Sequence, residues 1–357
     1  MNLIASFVIS FILSLILTPL VIRLADKYSL VDNPAKRKKT AQTHKGSIPR
    51  AGGLALGSAI LLAILFLLPL SKLVLGVAIA IIITVVIGLI DDIRESSPYL
   101  RFFSNLAVAG IIVGVGAGIP FITNPFNGAI HLDTLQWTFK LFSQTHSILV
   151  LADIAAIIWI VWTMNIVGWS GGIDGQLPGF VTIAALVIGV LSFNYSAHDI
   201  SQTTVAVLAF ITAGAYAGFL PWNFFPQKIM PGYSGKSLAG LLLATLSILS
   251  GAKLGTALLV LSIPMTDAVF TLFRRVAKGK SPFWSDKGHL HHKLLERGWG
   301  RRRIALFYWL TSGVLGLLAL SLTSTEKKFF AAALIVTLIL MLLTWLHLAT
   351  HLKKKIS

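Results

Sequence analysis

The sequence predicts an all-α protein that crosses a lipid bilayer many times, and two observations carry that prediction. Of its 357 residues, 55% are hydrophobic and only 12% charged, whereas average soluble domains carry about 25% charge. Uncharged stretches recur from end to end, each near the roughly 20 residues a helix needs to cross the hydrocarbon core. That rule gives about eleven spans, near residues 3–24, 51–70, 73–90, 103–121, 148–165, 179–194, 204–221, 237–250, 255–272, 304–323 and 329–349. The first lacks a basic start and a small-residue cleavage site, so it reads as a retained span rather than a signal peptide. No internal repeat or low-complexity linker divides the chain, and residues 1–357 read as one transmembrane domain. Between residues 122 and 147, the Asn127-Gly128 turn signal and the alternation after it predict a small hairpin lying on the outer surface.

Charge sets the orientation. The net charge is +17, which points to an anionic membrane surface or an anionic substrate. The Lys and Arg residues gather in the loops 25–50 and 273–303 and in the tail at Lys353, Lys354 and Lys355. With about eleven spans all three fall on one side, which the positive-inside rule makes cytoplasmic. The N-terminus then lies outside and the C-terminus inside. Nucleic acid is the weaker explanation for charge confined to loops beside spans. The absence of cysteine excludes disulfide and thiol chemistry.

The polar motifs sort to the cytoplasmic side, in the loops 25–50, 91–102, 165–179, 222–237 and 273–303. Asp91 and Asp92 follow the uncharged run Val74–Ile90, with Glu95 close behind. Adjacent carboxylates at the mouth of a span are costly unless a cation meets them. Mg²⁺ takes one or two carboxylates together with substrate phosphates. The plainer reading is that the pair only ends the span. Before it comes His44-Lys45-Gly46, then Pro49-Arg50-Ala51-Gly52-Gly53, whose paired glycines let a backbone or a phosphate approach closely. Neutralising Asp92 at a span end is expected to abolish activity while leaving insertion and folding intact.

Asn165 opens the Gly-dense stretch that carries Asp174 and Gly175, which serves either as a phosphate-wrapping loop or as a plain interhelical turn. The stretch Asn223–Ser237 ends in Gly235-Lys236-Ser237. The glycine a P-loop requires is Met230 and no strand precedes it, so a P-loop is rejected. Finally, Ser281–His292 places His289, His291 and His292 in a basic loop. Zinc favours a closed set of three or four ligands, often including Cys. Phosphate-binding donors or one acid/base group fit better, with plain interfacial charge as the alternative. Asp153 lies near the outer end of its span, away from these motifs. Asp267 lies nearer the cytoplasmic side, where it supports the loop that follows.

Taken in order, these motifs resemble one family, the polyprenyl-phosphate N-acetylhexosamine-1-phosphate transferases of glycosyltransferase family 4, over nearly the whole chain. The matching residues are Pro49-Arg-Ala-Gly-Gly, Gly88-Leu-Ile-Asp-Asp and Ser281-Pro-Phe-Trp-Ser-Asp-Lys-Gly-His-Leu-His-His. The resemblance implies transfer of a sugar-1-phosphate, GlcNAc-1-phosphate first, from a UDP-N-acetylhexosamine to undecaprenyl or another polyprenyl phosphate. UMP is released, in the first membrane step of cell-envelope glycan synthesis. It implies a cell-membrane protein, Mg²⁺ or Mn²⁺ as cofactor, no nucleic acid, and a homodimer as an allowed assembly. Asp91, Asp92, Asp174 and His289 are then the expected catalytic residues, the three acids also holding the metal. His44, Lys45, Asn165, Asn223, Lys236, His291 and His292 are expected to bind substrate.

Two departures stand out. The family pattern Asn-x-x-Asn-x-x-Asp-Gly-x-Asp-Gly runs here from Asn165 through Gly168, Gly171 and Asp174 to Gly175. Its second Asn and first Asp are therefore Gly168 and Gly171. The pattern Met-Gly-Asp-Ser-Gly-Ser is here Pro231-Gly-Tyr233-Ser-Gly-Lys236. A phenol with a pKa near about 10 is a poor Mg²⁺ ligand, so either metal affinity falls or Asp174 and substrate phosphates complete the shell. The other reading is a relative without turnover that binds polyprenyl phosphate or scaffolds other membrane proteins. A transporter is disfavoured, because its site would lie near the midplane.

Overall fold

A computed structural model describes residues 2–33, 46–124, 128–141, 144–196, 199, 201–250, 253–281, 286–322 and 324–356. Its helices are α1 (Leu3–Lys27), α2 (Gly52–Leu67), α3 (Lys72–Arg94), α4 (Pro98–Gly114), α5 (Val150–Trp169), α6 (Gln176–Tyr195) and α7 (Ser201–Asn223). They continue as α8 (Gly232–Leu249), α9 (Lys253–Val260), α10 (Ser262–Ala277), α11 (Leu290–Glu296), α12 (Arg301–Ser321) and α13 (Thr325–Ile356). Every expected apolar run is largely helical, and the protein is an all-α, multi-pass membrane protein.

By length and composition, fewer of these runs stand as full spans among the described residues. Seven described helices are long and apolar enough to cross a membrane, and α9 with α10 makes an eighth if that pair, bent by 79°, is one span. Helices α2 and α4 have only 16 and 17 residues. At about 1.5 Å per residue they fall short of the roughly 30 Å hydrocarbon core. The bend between α9 and α10 falls just before Pro264, which cannot continue the hydrogen-bond ladder.

Helix α1 shows how the bundle packs. Ser6, Ser10, Ser14 and Thr18 are buried, while Ile4, Val8, Ile12, Ile16 and Leu20 are exposed. This inverts the soluble pattern: small polar residues let helices approach, and the large apolar ones meet lipid. Ser10 Oγ donates to Ile211 O of α7 at 2.7 Å, and Gly214 and Gly218 of α7 lie against the α1 backbone at Phe7 and Phe11. Caps start several helices: Asn2 accepts from Ile4 N, Ser71 from Val74 N and Ser97 from Leu100 N.

Strands are short. β1 (Val31–Asp32) pairs with β2 (Ile48–Pro49). Between α4 and α5 stand two antiparallel hairpins rather than one, β3 (Phe121–Thr123) with β4 (Ala129–His131) and β5 (Gln136–Leu141) with β6 (Gln144–Leu149). The anticipated Asn127 turn lies outside the described residues.

Candidate active site

Three helices meet at Ser234. A Cβ on Gly53 of α2, or on Gly88 of α3, would overlap Ser234 at the start of α8. Gly52 N and Gly53 N donate to the carbonyls of Met230 and Pro231, each at 3.0 Å. The paired glycines therefore admit another backbone, the first of the two approaches expected of them. This crossing fixes Arg50, Asp91, Asp92 and Tyr233 at one end of the bundle.

Asp92 closes the crossing. Arg50 Nε lies 2.9 Å from Oδ1, and Tyr233 N donates to the same oxygen at 2.6 Å. Ser234 N and Ser234 Oγ donate to Oδ2 at 3.2 and 2.7 Å. These donors include the first-turn amides of α8, whose own cap residue, Pro231, supplies no side-chain bond. Asp92 thus caps α8 from α3, where the helix dipole favours negative charge. Gly232, with φ of +70°, turns the chain here, and a Cβ would strike the Asp92 carboxylate.

Asp91 is completely buried. Its Oδ1 accepts from Arg101 Nε at 2.7 Å and Ser96 N at 3.0 Å. That holds the turn from α3 to α4, which Glu95 enters with a left-handed φ of 53°. Oδ2 of Asp91 is buried without a hydrogen-bond partner, and Arg50 Nη2 is 3.9 Å away. Arg101 also stacks over the Tyr233 ring, 5.0 Å from its centroid. The Tyr233 hydroxyl donates to Asn105 Oδ1 at 3.2 Å.

Asp174 belongs to a neighbouring cluster. Its Oδ2 faces Gln227 N and Arg301 Nη1, both at 3.4 Å, and its Oδ1 is buried without a partner. Gly175, with φ of +75°, is wedged against Phe224. Its N–H donates to Asn223 Oδ1, and its carbonyl accepts from Trp309 Nε1, both at 3.0 Å. Asn223 also donates to Ile229 O and Gln227 Oε1. The structure therefore uses Asn223 as a brace between the second and third motifs. Asn165 donates to Val161 O at 2.8 Å and lines an apolar groove of about 350 Å³ with Phe102, Leu106, Trp162 and Leu272. A second pocket of about 870 Å³ is lined by Asp174, Phe225, Trp299, Arg301 and Arg302.

The histidine loop docks on the Gly-dense segment, because only Gly172 leaves room for the His291 imidazole. The His289 and His291 rings stack at 5.7 Å, and His292 lies 4.3 Å from His291. Asp267 of α10, wholly buried, accepts from His289 Nδ1 at 3.0 Å and from Leu290 N at 2.8 Å. An ionised carboxylate can only accept, so Nδ1 carries the proton and Nε2 faces Arg275 Nη2, a donor, at 3.5 Å. Asp286 is clasped by Arg274 at 2.6 Å and Arg275 at 3.1 Å. Burial raises its pKa, but the two guanidiniums and the Gly288 amide outweigh that and hold it below the usual carboxylate value. His44 and Lys45 lie outside the described residues.

His291 and His292 are neutral near pH 7. Burial, then His292, His289 and Lys236, pushes His291 well below its ordinary 6.5. Burial, then His289 and Lys287, lowers His292 to about 4. The positive charge here comes from lysine and arginine, and these rings offer neutral donors and acceptors. The folded protein resists protons that the unfolded chain accepts, so their contribution is complete above about pH 6.5 and falls as pH drops towards 4. For His292 the loss is on the order of 3 kcal/mol across that window. Thermal unfolding followed by tryptophan fluorescence should show a plateau above pH 7 and a decline below 6.5, reduced in His292→Gln. Identical profiles for the two proteins would contradict the assignment.

The expected Mg²⁺ seat meets these donors poorly. Asp92 accepts three hydrogen bonds and pairs with Arg50 at 2.9 Å, which engages most of the roughly four lone-pair sites of a carboxylate. The free oxygens of Asp91 and Asp174 sit in different clusters, each acid beside an arginine. Among the described residues no group of three or more His, Asp or Glu could hold a metal ion. The described residues do not gather Asp91, Asp92 and Asp174 into one three-carboxylate group. Sequence reading missed Arg101 and Arg301, and it gave Asp267 the support of the following loop without naming its partners, His289 and Leu290. The signals were an arginine just beyond the Asp pair, an arginine at the start of α12 and an acid one span before the histidines.

Acids, arginines and histidines thus gather at one end of a helical membrane bundle. Residues 74–251 match the family described as glycosyl transferase family 4. A decaprenyl-phosphate N-acetylglucosaminephosphotransferase of Mycobacterium tuberculosis (H37Rv) is 32% identical over 343 residues, covering 87% of this chain and 80% of that protein. An undecaprenyl-phosphate alpha-N-acetylglucosaminyl 1-phosphate transferase of Thermotoga maritima is 27% identical, covering 93% of this chain and 94% of its own. The protein of the same name from Escherichia coli K12 is 28% identical, covering 82% and 76%. The chain belongs to glycosyl transferase family 4.

Proposed function

We propose that the protein transfers N-acetylglucosamine-1-phosphate from UDP-N-acetylglucosamine to a polyprenyl phosphate, releasing UMP. What supports this most is the meeting of Asp91–Asp92, the Gly-dense segment, the Tyr233 segment and the histidine loop at one end of the bundle, in a chain whose relatives carry those names. An oxygen of the lipid phosphate attacks the sugar-bearing phosphorus. The bond from that phosphorus to the bridging oxygen breaks, and its electrons leave on UMP. At neutral pH the lipid phosphate is already largely ionised, its second pKa being about 6, so no general base is required.

Catalysis of this kind rests on positioning and charge. The pocket of Phe225, Trp299, Arg301 and Arg302 suits a uridine nucleotide, with rings for the base and guanidiniums for the phosphates. The apolar groove beside Asn165 suits the prenyl chain. With the basic loops on the cytoplasmic side, as the positive-inside rule expects, this end faces the sugar nucleotide. The test supplies purified protein with radiolabelled UDP-N-acetylglucosamine and undecaprenyl phosphate, with and without Mg²⁺ or Mn²⁺. Label should move into the lipid as UMP appears. If folded protein transfers no label under any condition, the relative without turnover is the right reading.

A further inference from the structure

The acids expected to hold a metal are each matched to an arginine: Asp91 to Arg101 at 2.7 Å, Asp92 to Arg50 at 2.9 Å and Asp174 to Arg301 at 3.4 Å. The chain also departs from the family pattern in one electrical direction. Two acid positions are Gly171 and Tyr233, and a serine position is Lys236. Removing two carboxylates and adding one ammonium makes the site more positive by three charges. A Mg²⁺ ion contributes two.

Two cations, one of them the departure Lys236, stand beside the altered positions. Arg101 lies over the Tyr233 ring. Its Nε is anchored on Asp91, which leaves its terminal nitrogens for an incoming acceptor. Lys236 Cε is 3.2 Å from where a Cβ on Gly171 would lie. Tyr233 and Lys236 are three residues apart on α8, so they share a face one turn apart. A guanidinium and an ammonium thus flank one face of α8, beside the C-terminal end of α3 and the N-terminal end of α4. A guanidinium clamped between a carboxylate and an aromatic ring is pre-organised for a phosphate.

We propose that Arg101 and Lys236 stand in for a divalent cation, so that the protein binds the phosphate of its lipid substrate without Mg²⁺. This rests on the reading of the site as a lipid-phosphate site. Arg50, Arg101 and Lys236 supply the positive charge, and Asp91 and Asp92 orient the guanidiniums instead of ligating metal.

The test measures binding of geranylgeranyl phosphate to the full-length protein in detergent, in EDTA and in MgCl₂, with geranylgeraniol as the control lacking phosphate. Wild-type affinity should agree within about twofold between the two buffers, and Arg101→Gln/Lys236→Ser should bind about tenfold or more weakly in EDTA. Gly171→Asp/Tyr233→Asp should become dependent on Mg²⁺. Wild-type binding that disappears in EDTA and returns with Mg²⁺ overturns the proposal. So does unchanged affinity in the Arg101→Gln/Lys236→Ser protein, or no binding in either buffer. The transfer assay separates the two readings. Binding in EDTA without transfer under any condition sinks the transferase and leaves the cation replacement standing. Transfer accompanied by Mg²⁺-dependent binding does the reverse.

Discussion

Asp92→Asn is expected to unfold at markedly lower temperature than the wild type, as well as to lose activity. From sequence, a neutralised acid at a span end should leave folding intact. The structure changes that expectation, because the carboxylate faces Arg50 Nε, Tyr233 N, Ser234 N and Ser234 Oγ, all of them donors. Asparagine has one acceptor oxygen and an amide that can only donate. In any rotamer it sets a donor against a donor, and it leaves the largely buried Arg50 without its nearest countercharge. Breaking a buried pair by removing one partner costs about 3–5 kcal/mol, and the first turn of α8 loses its cap. The check is tryptophan fluorescence during heating, a suitable probe in a chain with nine Trp and no Cys. An Asp92→Asn protein that melts with the wild type would remove Asp92 from this structural role.

Much of this was legible in the sequence because a membrane leaves few options. Uncharged runs become helices, basic loops sort to one side, and polar residues away from water must gather. That reasoning brought Asp91, Asp92, Asp174 and the histidines towards one end before any coordinates. What it could not supply was which lone pairs were already taken. Arg101 is ten residues from Asp91, yet the left-handed turn at Glu95 brings it to 2.7 Å. Arg301 reaches Asp174 from a helix far along the chain. The glycine pair Gly52-Gly53 had two readings, a phosphate or a backbone, and only the α2–α8 crossing decided between them. Exact helix lengths were also hidden, because the entry of α2 is tied to the 230–231 backbone rather than to lipid.

A common device links the acids. Asp91 holds the turn after α3, Asp92 caps α8 and Asp267 caps α11, each acting on backbone amides outside its own helix. A carboxylate in such a place serves packing and site geometry together, so its replacement disturbs both.

Asp267→Asn should therefore reduce transfer by about a hundredfold or more, between the tenfold to hundredfold typical of lost outer-shell partners and the ten-thousandfold of a wrong histidine tautomer. Its two oxygens hold His289 Nδ1 at 3.0 Å and Leu290 N at 2.8 Å. Asparagine can keep the Leu290 bond with its oxygen, but its amide then points at Nδ1. To accept from that amide, His289 must move its proton to Nε2, which faces the Arg275 donor at 3.5 Å. Both sides cannot be satisfied, and the ring must turn away from the stack it forms with His291. The variant should also be less stable by roughly 1.5–3 kcal/mol, the worth of a hydrogen bond to a charged group. Stability loss alone would not distinguish positioning from packing. Nitrogen-15 spectra of histidine-labelled protein do, since protonated and bare ring nitrogens resonate far apart. The wild type should show one ring, His289, with its proton fixed on Nδ1, and Asp267→Asn should lose that signal along with turnover. Full transfer in an Asp267→Asn protein with an altered His289 spectrum would mean that the orientation of this ring does not matter to the reaction.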